Sequence, residues 1–141
     1  MITQNVQTLK NISVDFIGSE EELKILISLL EFELVNNSEQ KGVGLSAIQI
    51  NIPIRVAIIR NGKEAFNLYN AKIIKQEQPF VFEGEGCLSF PQQYCNTKRF
   101  NLIEILNGNG EVLKFSGFLA CAVQHELDHW DGIIFTERIN E

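Results

Sequence analysis

Apolar residues at helical spacing predict a helix over residues 19–37. Ser19 and Glu22 are three residues apart and form a capping box, in which each side chain binds the backbone N–H of the other residue. An apolar stripe of helical period follows, and such a stripe faces a core. The stripe consists of Leu23, Leu26, Ile27, Leu30 and Leu34. The polar run Asn36–Asn37–Ser38 predicts the end of this helix.

Between residues 52 and 116 the pattern changes to short β-branched and apolar runs, which are typical of strands. Residues 54–59 form one such run, and Asn61–Gly62 supplies a tight hairpin turn into a second run at 63–68. Further strands are predicted at residues 71–75, 79–83, 100–106 and 111–115. The Asn–Gly repeat between the last two runs predicts another hairpin turn.

A second helix is predicted from Gly117 to Trp130, with Gly132 as its stop signal. One side of this helix carries Phe118, Cys121, Ala122, His125 and His129. A block of strands between two helices indicates an α+β fold, with the second helix packed centrally against antiparallel or mixed β-sheets. The length fits a single domain over residues 1–141, since the chain has no repeat and no linker.

Composition excludes several classes of function. The net charge of −6 is unlike that of nucleic-acid binders, which need clustered lysine and arginine. The N-terminus lacks the basic start and apolar core of a signal peptide, and no apolar run reaches the roughly 18 residues of a membrane helix. Three widely spaced cysteines do not make a disulfide framework. We therefore expect a cytoplasmic protein with neither a nucleic-acid nor a membrane partner.

The predicted second helix carries His125, Glu126 and His129 in the pattern H-E-x-x-H. Residues four apart on a helix lie one above the other, about 6 Å apart, so that both imidazoles can bind one metal ion. The glutamate can then act as general base on a water molecule that the metal activates. These are the only histidines of the chain. The pattern therefore predicts a metal-dependent hydrolase.

A catalytic metal site needs a third protein ligand and one open position. A metzincin-type protease would have a third histidine six residues after His129, but that position is Phe135. Glu137 and Glu141 follow in a tail that is too short for a supporting helix. The usual third ligands of H-E-x-x-H proteases are therefore missing.

The cysteines are the remaining candidates for the third ligand. Cys121 lies eight residues before His129, about 12 Å along a helix axis, which is too far for both side chains to bind one ion. Cys87 follows a predicted strand and stands beside Gly86, which permits close backbone approach. Cys95 has no such setting. Cys87 is thus favoured over Cys95, and Cys121 is interpreted as core lining.

Three segments together resemble the peptide deformylases. Residues 42–49, with the sequence GVGLSAIQ, are similar to the first motif of that family. Residues 85–89, EGCLS, match the second motif, and residues 124–129, QHELDH, match the third. Their order and spacing also match the family. The resemblance implies the deformylase fold, an N-terminal helix with a central H-E-x-x-H helix against the sheets, and one catalytic domain.

The resemblance also implies a metal and a reaction. One divalent cation per chain would be held by Cys87, His125 and His129, natively Fe²⁺, with Zn²⁺ or Ni²⁺ often found in purified material. The substrate would be the N-formylmethionyl end of a newly made polypeptide, and formate would be released. Glu126 would move the water proton. The Gln49 side chain and the Leu88 backbone N–H would stabilise the oxyanion.

Further residues are predicted to bind the substrate from their positions relative to the three motifs. An apolar pocket for methionine is needed near the metal, and glycine backbone can lie against an extended ligand. The predicted substrate-binding residues are Val43, Gly44, Leu45, Gly86, Tyr94, Phe118 and Ala122. Several of these side chains, Phe118 in particular, are equally compatible with a place in the core.

The chain departs from the family pattern in three places. Ser46 stands where many deformylases have alanine, and Tyr94 stands where many bacterial members carry an arginine that holds the substrate. The sequence also ends twelve residues after His129, before the further helix of typical bacterial forms. Since that helix is associated with ribosome docking, we do not expect ribosome binding. Short forms are familiar from bacteriophages, which suggests a phage-infected bacterium as one setting.

Two other functions are compatible with the same residues. One is a zinc endopeptidase that uses the same metal ligands and glutamate. The other is a non-catalytic domain with a closed structural metal site, which would need a fourth protein ligand. The candidates for that fourth ligand are Cys95, Cys121 and Asp131.

Overall fold

In a computed structural model, which describes residues 1–36 and 42–140, the chain folds into helices and two antiparallel sheets. The helices are α1 (Val6–Leu9), α2 (Glu20–Asn36) and α3 (Gly117–Trp130), with short 3-10 turns at Ala47–Ile50 and Phe135–Arg138. The strands are β1 (Gly44–Ser46), β2 (Val56–Asn61), β3 (Glu64–Tyr69), β4 (Lys72–Cys87), β5 (Phe90–Leu106) and β6 (Val112–Ser116). The predicted α+β class is confirmed.

Both predicted helices are present. The capping box of α2 forms as predicted, because Glu22 N–H donates to Ser19 Oγ and Ser19 N–H donates to the Glu22 carboxylate, each at 3.1 Å. The predicted apolar stripe faces inward, with only Leu23 partly exposed. The predicted polar end of this helix reaches Asn37 and Ser38, which lie outside the described residues, as does Glu141.

The second helix, α3, begins at Gly117 and ends at Trp130, as predicted. Gly132 follows with a φ of 72°, a left-handed conformation that favours glycine. A Cβ atom there would also collide with the carbonyl oxygen of Lys10. Two separate reasons therefore favour glycine at the position that follows the helix.

The sheets contain three strands each, in the orders β1-β2-β3 and β4-β5-β6, and every pairing is antiparallel. The hairpin of β2 and β3 turns at Gly62 (φ 61°), as predicted. The long hairpin of β4 and β5 differs from the prediction, which placed two short strands before Cys87 and none at residues 90–99. Residues 91–94 at the start of β5 are all exposed, so the alternation that signals a strand is missing in that part of the hairpin.

Helix α3 lies between the two sheets and provides the centre of the main core. Its buried residues Val123, Leu127 and Trp130 pack against Ile59 of β2 and Ile105 of β5. Helix α2 covers the other face of the first sheet through a second apolar cluster. As a result, the side of α3 that carries the histidines faces the end of β4, where Cys87 lies.

Candidate metal centre

Three metal-binding side chains meet where α3 passes the end of β4. One ligand atom from each of Cys87, His125 and His129 lies within 4.8 Å of the other two, and all three residues are buried. The Cys87 Sγ is 3.5 Å from the His129 Nε2. A thiolate and two imidazoles at this separation are a donor set that suits a divalent transition metal. The residues present therefore fit a metal ion.

The group contains three protein donors, with no fourth among the described residues. Cys95, Cys121 and Asp131, the possible fourth ligands of a closed structural site, are not part of the group formed by the described residues. Asp131 instead accepts a hydrogen bond of 2.9 Å from Arg55. Catalytic metal sites combine three protein ligands with an open position, whereas structural sites are closed by four.

Glu85 orients one of the two histidines. Its Oε2 lies 2.7 Å from the His125 Nδ1, so that the Nε2 of that ring is left for a metal. The other oxygen, Oε1, accepts a hydrogen bond of 2.7 Å from the Thr97 hydroxyl. Arg99 donates to both oxygens, from Nη2 at 2.6 Å and from Nε at 2.9 Å. Glu85 is thereby held by a two-pronged ion pair inside the protein.

The charges around the site favour a cation. Burial by itself would lower the pKa of His125, but Cys87 and Glu85 beside it raise that pKa well above its ordinary value. Burial and the neighbouring His125 lower the pKa of His129, which favours the neutral ring that a metal requires. Burial would also raise the pKa of Glu85, but hydrogen bonds from His125 and Arg99 lower it to about 2.

Glu126 lies next to these donors in a buried position. Burial raises the pKa of its carboxyl to about 7, in the range where a group can both accept and release a proton at neutral pH. The Ser46 hydroxyl lies 3.1 Å from the Glu126 Oε1 and 2.9 Å from its backbone oxygen. Gly44 leaves room for the carboxylate, because a Cβ there would come within 2.6 Å of Oε2.

Gln49 is fixed in the same region by the turn that follows β1. Its Oε1 accepts a hydrogen bond of 2.9 Å from the Ser46 N–H. Its Nε2 donates to the Ser89 hydroxyl at 3.0 Å and lies 3.6 Å from the Cys87 Sγ. Leu88 follows Cys87 directly, and its side chain packs against Gly42, where a Cβ would be only 2.5 Å away. Both predicted oxyanion donors therefore lie beside the candidate ligand Cys87.

A cavity of about 220 Å³ opens onto this group. It is bordered by Cys87, His125, Glu126 and Gln49, and by six of the seven predicted substrate-binding residues. Those six are Val43, Gly44, Gly86, Tyr94, Phe118 and Ala122. Leu45 does not line the cavity, because its side chain is buried in the second apolar cluster below α2. Its role in binding stays a prediction.

Phe82 is a cavity residue that could not be assigned from the sequence, whereas Cys121 was interpreted as core lining. Phe82 of β4 packs beside Phe118, with ring centroids 6.0 Å apart, and both rings border the cavity. Cys121 also borders it while being buried, and burial raises the pKa of its thiol to about 12. Tyr94 lies against Gly86, where a Cβ would be 2.7 Å from the tyrosine ring. These contacts depend on the long hairpin, whose register the sequence did not reveal.

A buried thiol and two helix-borne histidines beside a carboxylate define a metallohydrolase type of site, and comparison with known proteins identifies the family. The family model of polypeptide deformylases matches residues 1–141. The peptide deformylase of Helicobacter hepaticus is 39% identical over 114 residues, which are 72% of this chain and 62% of that protein. Peptide deformylase 1 of Bacillus subtilis is 40% identical over 111 residues, 73% of this chain and 68% of that protein.

The fold agrees with these matches. The crystal structure of peptide deformylase from Thermotoga maritima superposes with a TM-score of 0.83 at 29% identity, and covers 95% of this chain and 92% of that one. The chain therefore belongs to the polypeptide deformylase family, which confirms the resemblance seen in the three motifs. Members of this family are metal-dependent enzymes that remove formyl groups from newly made polypeptides. No helix among the described residues is long and apolar enough to cross a membrane.

Proposed function

We propose that this chain is a deformylase that removes the N-formyl group from N-formylmethionyl polypeptides and releases formate. The observation that carries the proposal is the group of Cys87, His125 and His129 next to the buried carboxylate of Glu126, with Cys87, His125 and Glu126 bordering the cavity. The three ligands would hold one divalent cation, for which Fe²⁺ is the expected native metal. When bound, such a cation lowers the pKa of water towards about 7 and polarises the carbonyl that is attacked.

The proton transfers belong to Glu126. As the water oxygen bonds to the formyl carbon, the Glu126 carboxylate accepts the water proton. The carbon–nitrogen bond of the formamide then breaks, and Glu126 delivers the same proton to the departing nitrogen, which becomes the free amino terminus. The Ser46 hydroxyl holds this carboxylate by a hydrogen bond during both transfers, and Gly44 leaves room for it because it has no side chain.

The negative charge that develops on the formyl oxygen needs hydrogen-bond donors that are already in position. Gln49 and the Leu88 backbone N–H are the proposed donors, since both lie beside Cys87 at the border of the cavity. The Gln49 amide is held through its oxygen by the Ser46 N–H, and its Nε2, which donates to the Ser89 hydroxyl, also lies 3.6 Å from the Cys87 Sγ.

The remainder of the cavity is proposed to bind the peptide. Val43, Phe118 and Ala122 would enclose the methionine side chain, with Phe82 extending the apolar wall. Gly44 and Gly86 would allow the peptide backbone to approach closely. Tyr94 is 60% exposed at the same cavity and can offer one hydrogen bond but no charge.

The proposed activity is tested by measuring formate from a formyl-Met peptide. Protein loaded with Fe²⁺ or Co²⁺ is expected to release one formate per peptide, and a metal-free sample serves as the control. Formate release no greater than in that control would reject the proposal. Internal cleavage of an unfolded protein by the same loaded sample would instead support the endopeptidase alternative.

A second prediction concerns the thiol ligand. Cys87→Ser is expected to weaken metal binding by more than the roughly 10–100-fold that changes around a ligand cause, because a soft thiolate is lost. Cys121→Ser is the matched control, since Cys121 is equally buried at the same cavity but stands outside the ligand group. Metal content after dialysis against a chelator is the measurement. Greater metal loss from the Cys121 variant would contradict the ligand assignment.

A further inference from the structure

Four charged side chains form a continuous chain of ion pairs that ends at the metal centre. Glu85 and Arg99 form its inner pair, and Arg99 Nη1 also donates to Asp128 Oδ2 at 2.7 Å. Arg138 then donates to both oxygens of Asp128, at 3.0 Å and 3.1 Å. The signs alternate along these four residues, which we call the ion-pair chain. The first two side chains are almost fully buried, Asp128 is 13% exposed, and Arg138 is 43% exposed.

Arg138 leaves most of the hydrogen-bond donors of Arg99 available to Glu85. Because Arg138 neutralises Asp128 with a two-pronged contact, Arg99 needs only one nitrogen for Asp128. Its Nε and its other terminal nitrogen then hold Glu85. Without Arg138, the Arg99 guanidinium would be the only partner of both the buried Glu85 and the partly buried Asp128, and the two carboxylates would compete for its donors.

The turn that carries Arg138 reaches the site in a second way. The Phe135 ring is buried, and its centroid lies 6.0 Å from that of the His125 ring. After the turn, Ile139 pairs with Thr97, which is itself a hydrogen-bond donor to Glu85. The turn at Phe135–Arg138 therefore touches both the metal-site histidine and the strand that holds its partner.

We propose that Arg138 is a positioning residue of the metal centre. Acting through Asp128 and Arg99, it keeps Glu85 in the one orientation that fixes the His125 ring. It touches neither the metal ligands nor the cavity, so its effect is on how firmly the metal is held. The inference rests on the proposed function only in taking His125 as a metal ligand.

The test compares Arg138→Gln with Lys10→Gln. The Lys10 Nζ is 2.7 Å from Glu137 Oε1, so that the control also removes one exposed cation from an ion pair on the same turn. We expect Arg138→Gln to raise the rate of Co²⁺ loss to a chelator by about 3- to 10-fold, less than for a residue in direct contact with a ligand. Lys10→Gln is expected to lose Co²⁺ at the wild-type rate, whatever its effect on the melting temperature.

Two further measurements make the test decisive. In the metal-free protein, the NMR signal of the proton between His125 Nδ1 and Glu85 should broaden in Arg138→Gln and stay sharp in the control. Arg138→Lys keeps the charge but lacks the planar guanidinium that donates to both Asp128 oxygens, so it should give an intermediate rate of Co²⁺ loss. If Arg138→Gln does not fold, Arg138→Lys decides, and a wild-type rate in that variant overturns the proposal.

The outcomes separate this inference from the proposed function. A protein that releases no formate, yet loses Co²⁺ faster after Arg138→Gln, rejects the deformylase activity and supports the positioning role. A protein that releases formate, and whose Arg138→Gln and Lys10→Gln variants lose Co²⁺ equally slowly, supports the activity and overturns the positioning role.

Discussion

Replacing Glu126 with glutamine is expected to lower kcat/KM for a formyl-Met peptide by about 10²- to 10⁴-fold, the usual contribution of a general acid–base group. The amide has nearly the shape of the carboxylate, so it still fits above Gly44 and beside Ser46. It cannot accept the water proton or return it to the leaving nitrogen. The loss should therefore appear in kcat rather than in KM, since peptide binding does not depend on this proton.

Two controls accompany this variant. The metal content should stay near one ion per chain, because Glu126 is outside the ligand group. Loss of metal would mean that Glu126 is itself a ligand. Glu111→Gln, at an exposed position of the β5–β6 turn, removes a carboxylate of the same size and should leave kcat/KM unchanged. Full activity in Glu126→Gln would reject the proposed proton carrier.

The second large effect is expected from Glu85→Gln, which should weaken both the fold and the metal site. The Arg99 side chain is 2% exposed and would lose the ionised carboxylate to which its Nε and Nη2 both donate. We expect this loss to lower the free energy of unfolding by about 3 kcal/mol. The His125 ring would lose its ionised partner, which typically lowers metal affinity by about 10- to 100-fold. Denaturant unfolding and metal titration measure the two effects separately.

The stability effect should depend on pH in a defined direction. The pKa of Glu85 is lowered from 4.5 to about 2 in the folded protein, so ionised Glu85 stabilises the fold above pH 4.5. That contribution is lost as the pH falls towards 2, and the difference between wild type and variant should shrink over this interval. Glu83→Gln, an exposed change two residues away on β4, should match wild type throughout. A constant difference at all pH values would contradict the assigned role.

Local sequence patterns were sufficient for α2, α3 and the hairpin turn at Gly62, but not for the four-residue helix α1 or the two 3-10 turns. The capping box of Ser19 and Glu22, and the Asn61–Gly62 turn, involve residues close together in the chain, and both form as predicted. The long β4–β5 hairpin was not predicted in full. The first half of β4 and residues 91–94 of β5 are exposed on both faces, so these parts are held by backbone pairing with register shifts rather than by an alternating apolar face.

The sequence by itself predicted the α+β class and favoured Cys87 over Cys95 as a ligand, and it determined that the two histidines share one helix face. The reason is that helical spacing places His125 and His129 on one face whatever surrounds them. Only the tertiary structure decided that Glu85 and Arg99 orient the ring of His125, and that Gly44 makes room for Glu126. Those contacts join residues far apart in the chain, so they depend on the register of the long hairpin and on how α3 packs against both sheets.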